Sequence, residues 1–312
     1  MKRPAPSALA NSVRDRLKVL ADRRREDFQD VLLRFGIERM LYRLSRSEWR
    51  DRFVLKGAML FTVWVDRPHR PTRDVDLLGF GAVTVTEMER IFRALCTAEV
   101  EPDGMVFRSA TVAGERIRAN AGYAGVRITF EAELARAVIP LQFDIGAGDR
   151  VVPAPRLAAL PVLLGMPVPR LRVYSRYSVV AEKLQILVEK GLATSRMKDF
   201  VDLAFLSRTY EFDGPTLVRA VRTTFDHRAT SYPPGVPEAM GDAFISSSAK
   251  LAQWRAFVRR SRLTDGVTEL ADVVPALRDF LLPPLAAARD GAHFKRRWIP
   301  GRGWRIRPAR AG

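Results

Sequence analysis

The sequence predicts an α+β, two-lobed protein, in which a lobe built on a mixed sheet is followed by a helical C-terminal lobe. Three observations predict it. Between residues 105 and 149 the runs MVFRSATV, YAGVRITFEAEL and VIPLQFDIGAGD alternate apolar and polar residues, as in a sheet with one wetter face. From about Ser178 to Leu282 almost every segment has helical periodicity. Between them, VVPAPRLAALPVLLGMPVPRLRVYS carries five prolines and reads as a domain linker. The expected division is 1–160 and 161–312, with a helical arm at about 9–48 opening the first lobe.

Each element follows in order. The arm places Val13, Leu17, Leu20, Phe28, Val31, Leu32, Phe35, Ile37, Leu41 and Leu44 at helical spacing among many arginines, and Gly36 is expected to mark a bend between two helices. Phe53–Leu55 suits a short buried strand, Lys56-Gly57 a turn and Ala58–Val65 a buried helix. DRPHRPT is a loop broken by Pro68 and Pro71, and DVDLLGFG is a strand closed by glycines. Residues 84–98 form an amphipathic helix with Thr84 or Thr86 as its cap. SVVAEKLQILVEKG, RMKDFVDLAFLSRTY and GPTLVRAVRTTFDHR are the first helices of the second lobe.

Composition narrows the function classes. The 312 residues hold 52 Lys+Arg against 35 Asp+Glu, a net charge of +17. That surplus favours a polyanionic partner, nucleic acid or an acidic membrane surface, although a general preference for arginine would also leave a basic surface. The single cysteine, Cys96, excludes an internal disulfide and a cysteine-based zinc cluster, and is expected to pack as a small apolar residue on a helix. His69, His227 and His293 are scattered without ligand spacing. No apolar run is long enough for a signal peptide or a membrane-spanning helix, so a cytoplasmic protein without membrane association is expected.

RPTRDVDLL raises the chemical question: why two carboxylates one residue apart in a strand-like segment? Asp74 and Asp76, at i and i+2, point to the same face. Together they can hold Mg²⁺, which prefers a few carboxylates plus substrate phosphates. Alternatively they are solvated acids paired with Arg70 and Arg73. In LQFDIGAGD, Leu141, Phe143 and Ile145 alternate against Gln142 and Asp144, so Asp144 projects from the wetter face of a neighbouring strand. Three carboxylates from adjacent strands can bind two cations and drive in-line nucleotidyl transfer. Gly57, between strand and helix, offers free backbone N–H groups to a phosphate.

The order strand–KG–helix–DVD–FDI resembles the polymerase-β-type nucleotidyltransferase superfamily. DRFVLKGAMLFTVWVDRPHRPTRDVDLLGFG, together with YSVVAEKLQILVEKGLATSRMKDFVDLAFL, resembles the AbiEii/AbiGii (MenT-like) nucleotidyltransferase toxins of two-gene toxin–antitoxin and abortive-infection systems. The likeness extends from about residue 12 into the tail, RRWIPGRGW included. It implies metal binding by Asp74 and Asp76, beside which strand alternation sets Asp144 as a third candidate ligand. It implies a phosphate grip by Gly57 with its neighbours Lys56 and Ala58, and catalytic roles for Lys183 in AEKL and Asp199 in RMKDFVDL. Arg73, Arg196 and Asp202 complete the expected nucleotide-binding set. Ala58 departs from the Ser or Gly common after the turn glycine, which removes a hydroxyl contact to phosphate. An NTP as co-substrate, an RNA acceptor such as a tRNA 3′ end, a translation block and a neighbouring antitoxin are implied by the resemblance, and a monomeric enzyme with Mg²⁺ or Mn²⁺ as cofactor is expected. Its active site is expected in the cleft between the lobes.

Residue chemistry alone leaves alternatives at the second block and the tail. Lys183 lies among Val179, Val180, Leu184 and Leu187, and so needs an anion, either a triphosphate oxygen or the carboxylates of Asp199 and Asp202 on the next helix. The tail has seven Lys/Arg between Lys295 and Arg310 and no acid, with Trp298 and Trp304 available to stack on bases or to tuck the tail onto the helices. Two rival functions stay open: transfer to a protein hydroxyl, and a non-catalytic NTP- or nucleic-acid-binding protein on the same scaffold.

Overall fold

The computed structural model describes residues 7–65, 72–118, 124–261, 263 and 269–306. His69, Arg70, Arg307 and Arg310 lie outside them. The chain divides into two compact units, Met1–Gly148 with Arg156–Val173, and Asp149–Pro155 with Tyr174–Gly312.

The first unit opens with α1 (Ala8–Arg24) and α2 (Phe28–Arg46). The break between them falls at Arg25–Asp27 and not at Gly36. Arg25 takes the left-handed conformation at φ 56°, and Asp27 caps α2 by accepting from the N–H groups of Gln29 and Asp30. Gly36 lies inside α2 because that helix packs closely on the sheet: a Cβ there would meet Leu141 Cδ2 at 3.3 Å.

After α2 come β1 (Phe53–Lys56), a single 3₁₀ turn at Gly57–Met59, the five-residue α3 (Leu60–Trp64) and β2 (Val75–Gly79). Next is α4 (Val85–Cys96), capped by Thr84 accepting from the Glu87 N–H, with Cys96 buried on it. The remaining strands are β3 (Met105–Phe107), β4 (Ala113–Arg118), β5 (Ala124–Leu134), β6 (Ala137–Ala147), β7 (Arg156–Ala159) and β8 (Arg170–Val173). They form one mixed sheet in the order β3-β5-β6-β2-β1-β8-β7, with β4 also on β5. Pairing is parallel for β2–β6 and β1–β8 and antiparallel elsewhere.

The proline-rich stretch is therefore not a linker. It holds the hairpin β7–β8, whose outer turn contains Pro161, Pro167 and Pro169, and β8 joins the sheet beside β1. The first unit accordingly extends to Val173 instead of ending at 160. Its core lies on the face opposite Asp144: Phe92 of α4 meets Phe130 and Phe143 at ring separations of 5.8 and 5.1 Å.

Among the described residues, four charged ones are buried in this unit: Glu38, Arg39, Arg43 and Asp103. Arg43 holds Asp103 at 2.6 Å, and Arg39 donates to the Pro167 carbonyl at 2.7 Å. Glu38 accepts from the Leu163 N–H at 2.7 Å. Burial pushes the Glu38 carboxyl up to about 7 against the opposing pull of Arg39. Because this lies above its ordinary 4.5, the group's contribution to stability is fully present below pH 4.5 and is lost as pH rises through about 7. The window corresponds to on the order of 3 kcal/mol. Glu38→Gln is expected to flatten the fall in melting temperature between pH 5 and pH 8; an unchanged pH profile would show that Glu38 does not titrate there.

The second unit is mainly helical: α5 (Arg176–Lys190), α6 (Met197–Thr209), α7 (Gly214–His227), α8 (Asp242–Ser246), α9 (Ser248–Ser261) and α10 (Leu270–Asp290). A short β9 (Phe212–Asp213) precedes α7, and the tail forms β10 (Arg296–Ile299) and β11 (Gly303–Ile306). These strands pair antiparallel in the order β11-β10-β9.

The hairpin settles the role of the tail tryptophans. Trp298 is buried, donates to the Ser207 carbonyl at 2.7 Å and packs on Phe280 at 4.9 Å. Trp304 donates to the Phe280 carbonyl at 3.0 Å and meets Phe294 at 4.8 Å. Both are packing residues, while Arg296, Arg297, Arg302 and Arg305 are left exposed. Trp304→Ala is expected to cost about 2 kcal/mol, seen as a lowered melting temperature, by loss of buried area and aromatic contacts. A variant that melts like wild type but loses RNA affinity would instead mean base stacking.

Candidate active site

In the first unit, strand register assembles a row of charged side chains across five strands. Lys56 lies opposite Asp76, Asp76 opposite Asp144, Asp144 opposite Arg127, and Arg127 opposite Glu115. Residues directly opposite share a face, so all five stand on the side away from the Phe92–Phe130–Phe143 core. Asp74, two residues before Asp76, precedes β2 and is exposed.

The Gly57 turn is built against this row. Gly57 has φ +71°, and a Cβ placed on it would lie 1.9 Å from Asp76 Oδ2. Only glycine can bring its backbone so close to the carboxylate. The expected helix N-terminus is smaller than the sequence suggested, a 3₁₀ turn containing Ala58 followed by one short helix.

Asp144 has a partner that the sequence reading missed. Arg127 Nε donates to Oδ1 at 2.8 Å and Nη2 to Oδ2 at 2.9 Å, a bidentate pair. The Gln142 amide oxygen accepts from the same guanidinium at 3.1 and 3.3 Å, and Glu115 approaches it at 3.7 Å. The Asp144 hydrogen bonds hold Arg127 above its ordinary range, and the charge of Asp74 adds to this. Arg73, expected near the nucleotide, pairs at the surface with Asp30 at 3.3 Å. A groove of about 600 Å³ leads from Arg73 and Asp74 past Gln142, Thr129 and Glu131.

The donor set suits a hard divalent cation. Asp76 stands against the backbone cradle and Asp74 lines the neighbouring groove, and Mg²⁺ typically takes one or two carboxylates and completes its shell with water and phosphate. Among the described residues no three acid, histidine or cysteine side chains converge as a ready-made metal cage.

The second unit brings together the other predicted residues. Lys183 of α5 contacts Asp199 Oδ1 at 2.5 Å and Asp202 Oδ2 at 2.8 Å, both on α6. Arg196 Nε reaches Asp199 Oδ2 at 2.5 Å. Both aspartates are fully buried. Burial raises the Asp199 carboxyl, but Lys183 and Arg196 outweigh it and hold the group below its ordinary range. Of the two partners open to Lys183 in the sequence, the carboxylates are the ones in contact. His227 ends α7 and His293 is exposed.

A mixed sheet presenting paired aspartates beside a glycine turn, joined to a helical region, is the framework of a nucleotidyltransferase. The family model described as the nucleotidyl transferase AbiEii toxin of type IV toxin–antitoxin systems matches residues 39–281, and the chain belongs to that family. It is thus an enzyme of the nucleotidyltransferase class, and the family implies an antitoxin partner. Among solved structures, the chain is similar to a candidate nucleotidyltransferase from H. pylori at 13% identity and TM-score 0.45, covering 82% of this chain and 94% of that one. It is also similar to JHP933 from Helicobacter pylori at 13% identity and TM-score 0.44, covering 81% and 88%. A search of curated proteins finds no match. No described helix is long and apolar enough to cross a membrane.

Proposed function

We propose that this protein is a monomeric toxin that transfers a nucleoside monophosphate from an NTP to an RNA acceptor, with a tRNA 3′ end as the favoured substrate, and so blocks translation in the cytoplasm. The observation that carries this reading is the placement of Asp76 against the Gly57 turn and opposite Asp144, with Asp74 near enough to act on the charge of Arg127. A divalent cation, Mg²⁺ or Mn²⁺, held by Asp74 and Asp76 would supply charge neutralisation at the triphosphate. The Gly57 turn, flanked by Lys56 and Ala58, orients the phosphates through backbone N–H groups. The acceptor hydroxyl oxygen attacks the α-phosphorus, the bond to the bridging oxygen breaks, pyrophosphate leaves, and the hydroxyl proton passes to solvent or a nearby carboxylate. Catalysis of this kind is mostly positioning and charge stabilisation.

The RNA acceptor is supported by the net charge of +17 and by the exposed arginines of the tail hairpin, which suit phosphate contacts. We assign Lys183 and Asp199, with Arg196 and Asp202 beside them, to the family's later motifs, Asp199 in preference to Asp202; their contribution includes holding α5 to α6. Incubating the protein with α-labelled NTP and either total RNA or total protein tests the proposal. RNase-sensitive label supports it; label only on protein favours the protein-hydroxyl rival, and none at all favours a binding protein. Induced expression should arrest growth, and Asp74→Asn should relieve the arrest.

A further inference from the structure

The pair formed by Arg127 and Asp144 changes what the carboxylate row can bind. Both Asp144 oxygens accept from one guanidinium, at 2.8 and 2.9 Å, and the side chains are only 33% and 19% exposed. The fold enforces the pairing: a two-residue turn at Ala135–Arg136 sets Leu134 against Ala137, and the same register sets Arg127 against Asp144. From the other side Glu115 lies opposite Arg127. A small hard cation needs carboxylate oxygens directly in its shell, so binding through Asp144 would require breaking two charge-assisted hydrogen bonds.

We propose that Arg127 withholds Asp144 from metal binding, so that the centre takes a single divalent cation on Asp74 and Asp76, while Arg127 and Lys56 supply the positive charge that a second cation brings to a three-carboxylate site. The charges balance this way. Three carboxylates with two side-chain cations carry one negative charge, and one divalent ion turns that into one positive. Three bare carboxylates with two divalent ions reach the same value. Arg127 is thus a positioning residue, and the inference rests on reading the row as a nucleotidyltransferase centre.

Mn²⁺ titration of the full chain, followed by electron paramagnetic resonance, tests it without an activity readout. Wild type should bind one Mn²⁺ per chain, lost in Asp76→Ala. Arg127→Met should gain a second, and Arg127→Met/Asp144→Asn should lose it again. Asp144→Asn alone should keep the Asp76-dependent site, whereas a true ligand's removal should abolish it as Asp76→Ala does. Two ions in wild type, loss of the single ion in Asp144→Asn, or a folded Arg127→Met that still binds one ion would overturn the proposal alone. Absence of any Asp76-dependent Mn²⁺ binding would overturn the reading of the row itself, and the proposal with it.

Discussion

Asp76→Ala is expected to reduce nucleotidyl transfer by at least roughly 10²–10³-fold, the scale lost when one preorganised charge-stabilising group is removed from an active site, with little change in melting temperature. Asp76 is only half-buried and stands on the polar face of β2, so its removal leaves the Val75, Leu77 and Leu78 packing intact. It also removes one of two like charges directly opposite each other, Asp76 and Asp144, which by themselves repel. The kinetic form of the loss is informative. A metal ligand acting on the transition state lowers kcat and kcat/KM together. A rise in KM for NTP with kcat unchanged would instead make Asp76 a ground-state phosphate contact. Near-normal transfer by Asp76→Ala would displace the chemistry from this row altogether.

Lys183→Ala is expected to destabilise the second unit by about 3–5 kcal/mol, the cost of breaking a buried ion cluster by removing one member. It takes away the ammonium 2.5 Å from Asp199 and 2.8 Å from Asp202, and both carboxylates stay buried in α6. Because the Asp199 carboxyl is held below its ordinary 3.8, its share of the stability is present above that pH and is lost only as pH falls below it. At neutral pH the full penalty should therefore appear. Loss of activity in Lys183→Ala would mix folding with chemistry. Lys183→Met combined with Asp199→Asn and Asp202→Asn removes the buried charges together and should recover most of the melting temperature. If that variant folds but does not transfer nucleotide, the cluster has a role in transfer beyond bracing the helices. A Lys183→Ala variant that melts like wild type would show that the cluster does not hold α5 to α6.

The parts of this arrangement legible in the sequence were those set by local pattern. Period-two alternation placed Asp144 opposite the apolar face of Phe143 and Ile145, and Thr84 was readable as a cap because its side chain serves its own helix. Arg127 was not legible as the partner of Asp144. Its alignment depends on the turn at Ala135–Arg136, where Ala135 takes φ 54° without the Asn-Gly or Asp-Gly sequence that usually announces a two-residue turn. Gly36 misled for a related reason: a glycine in a helical pattern suggests a break, yet here it lets α2 approach Leu141, a contact about a hundred residues distant in sequence. The prolines between residues 151 and 175 suggested a domain linker and gave no sign of the hairpin β7–β8, because the partner of β8, β1, lies far back in the chain. Likewise helical spacing gave no sign that Arg39 and Arg43 of the arm are buried, because the acids and carbonyls they meet come from distant segments.

The fate of the phosphorus atoms tests nucleotidyl transfer most directly. Two parallel reactions, with NTP radiolabelled at the α- or the γ-phosphorus, would be run with RNA and a divalent cation. Nucleotidyl transfer at this row puts α-label on the RNA and γ-label in released pyrophosphate, both abolished by Asp76→Ala. Appearance of the γ-label on the acceptor, or equal α-label incorporation by wild type and Asp76→Ala, would contradict nucleotidyl transfer at this carboxylate row.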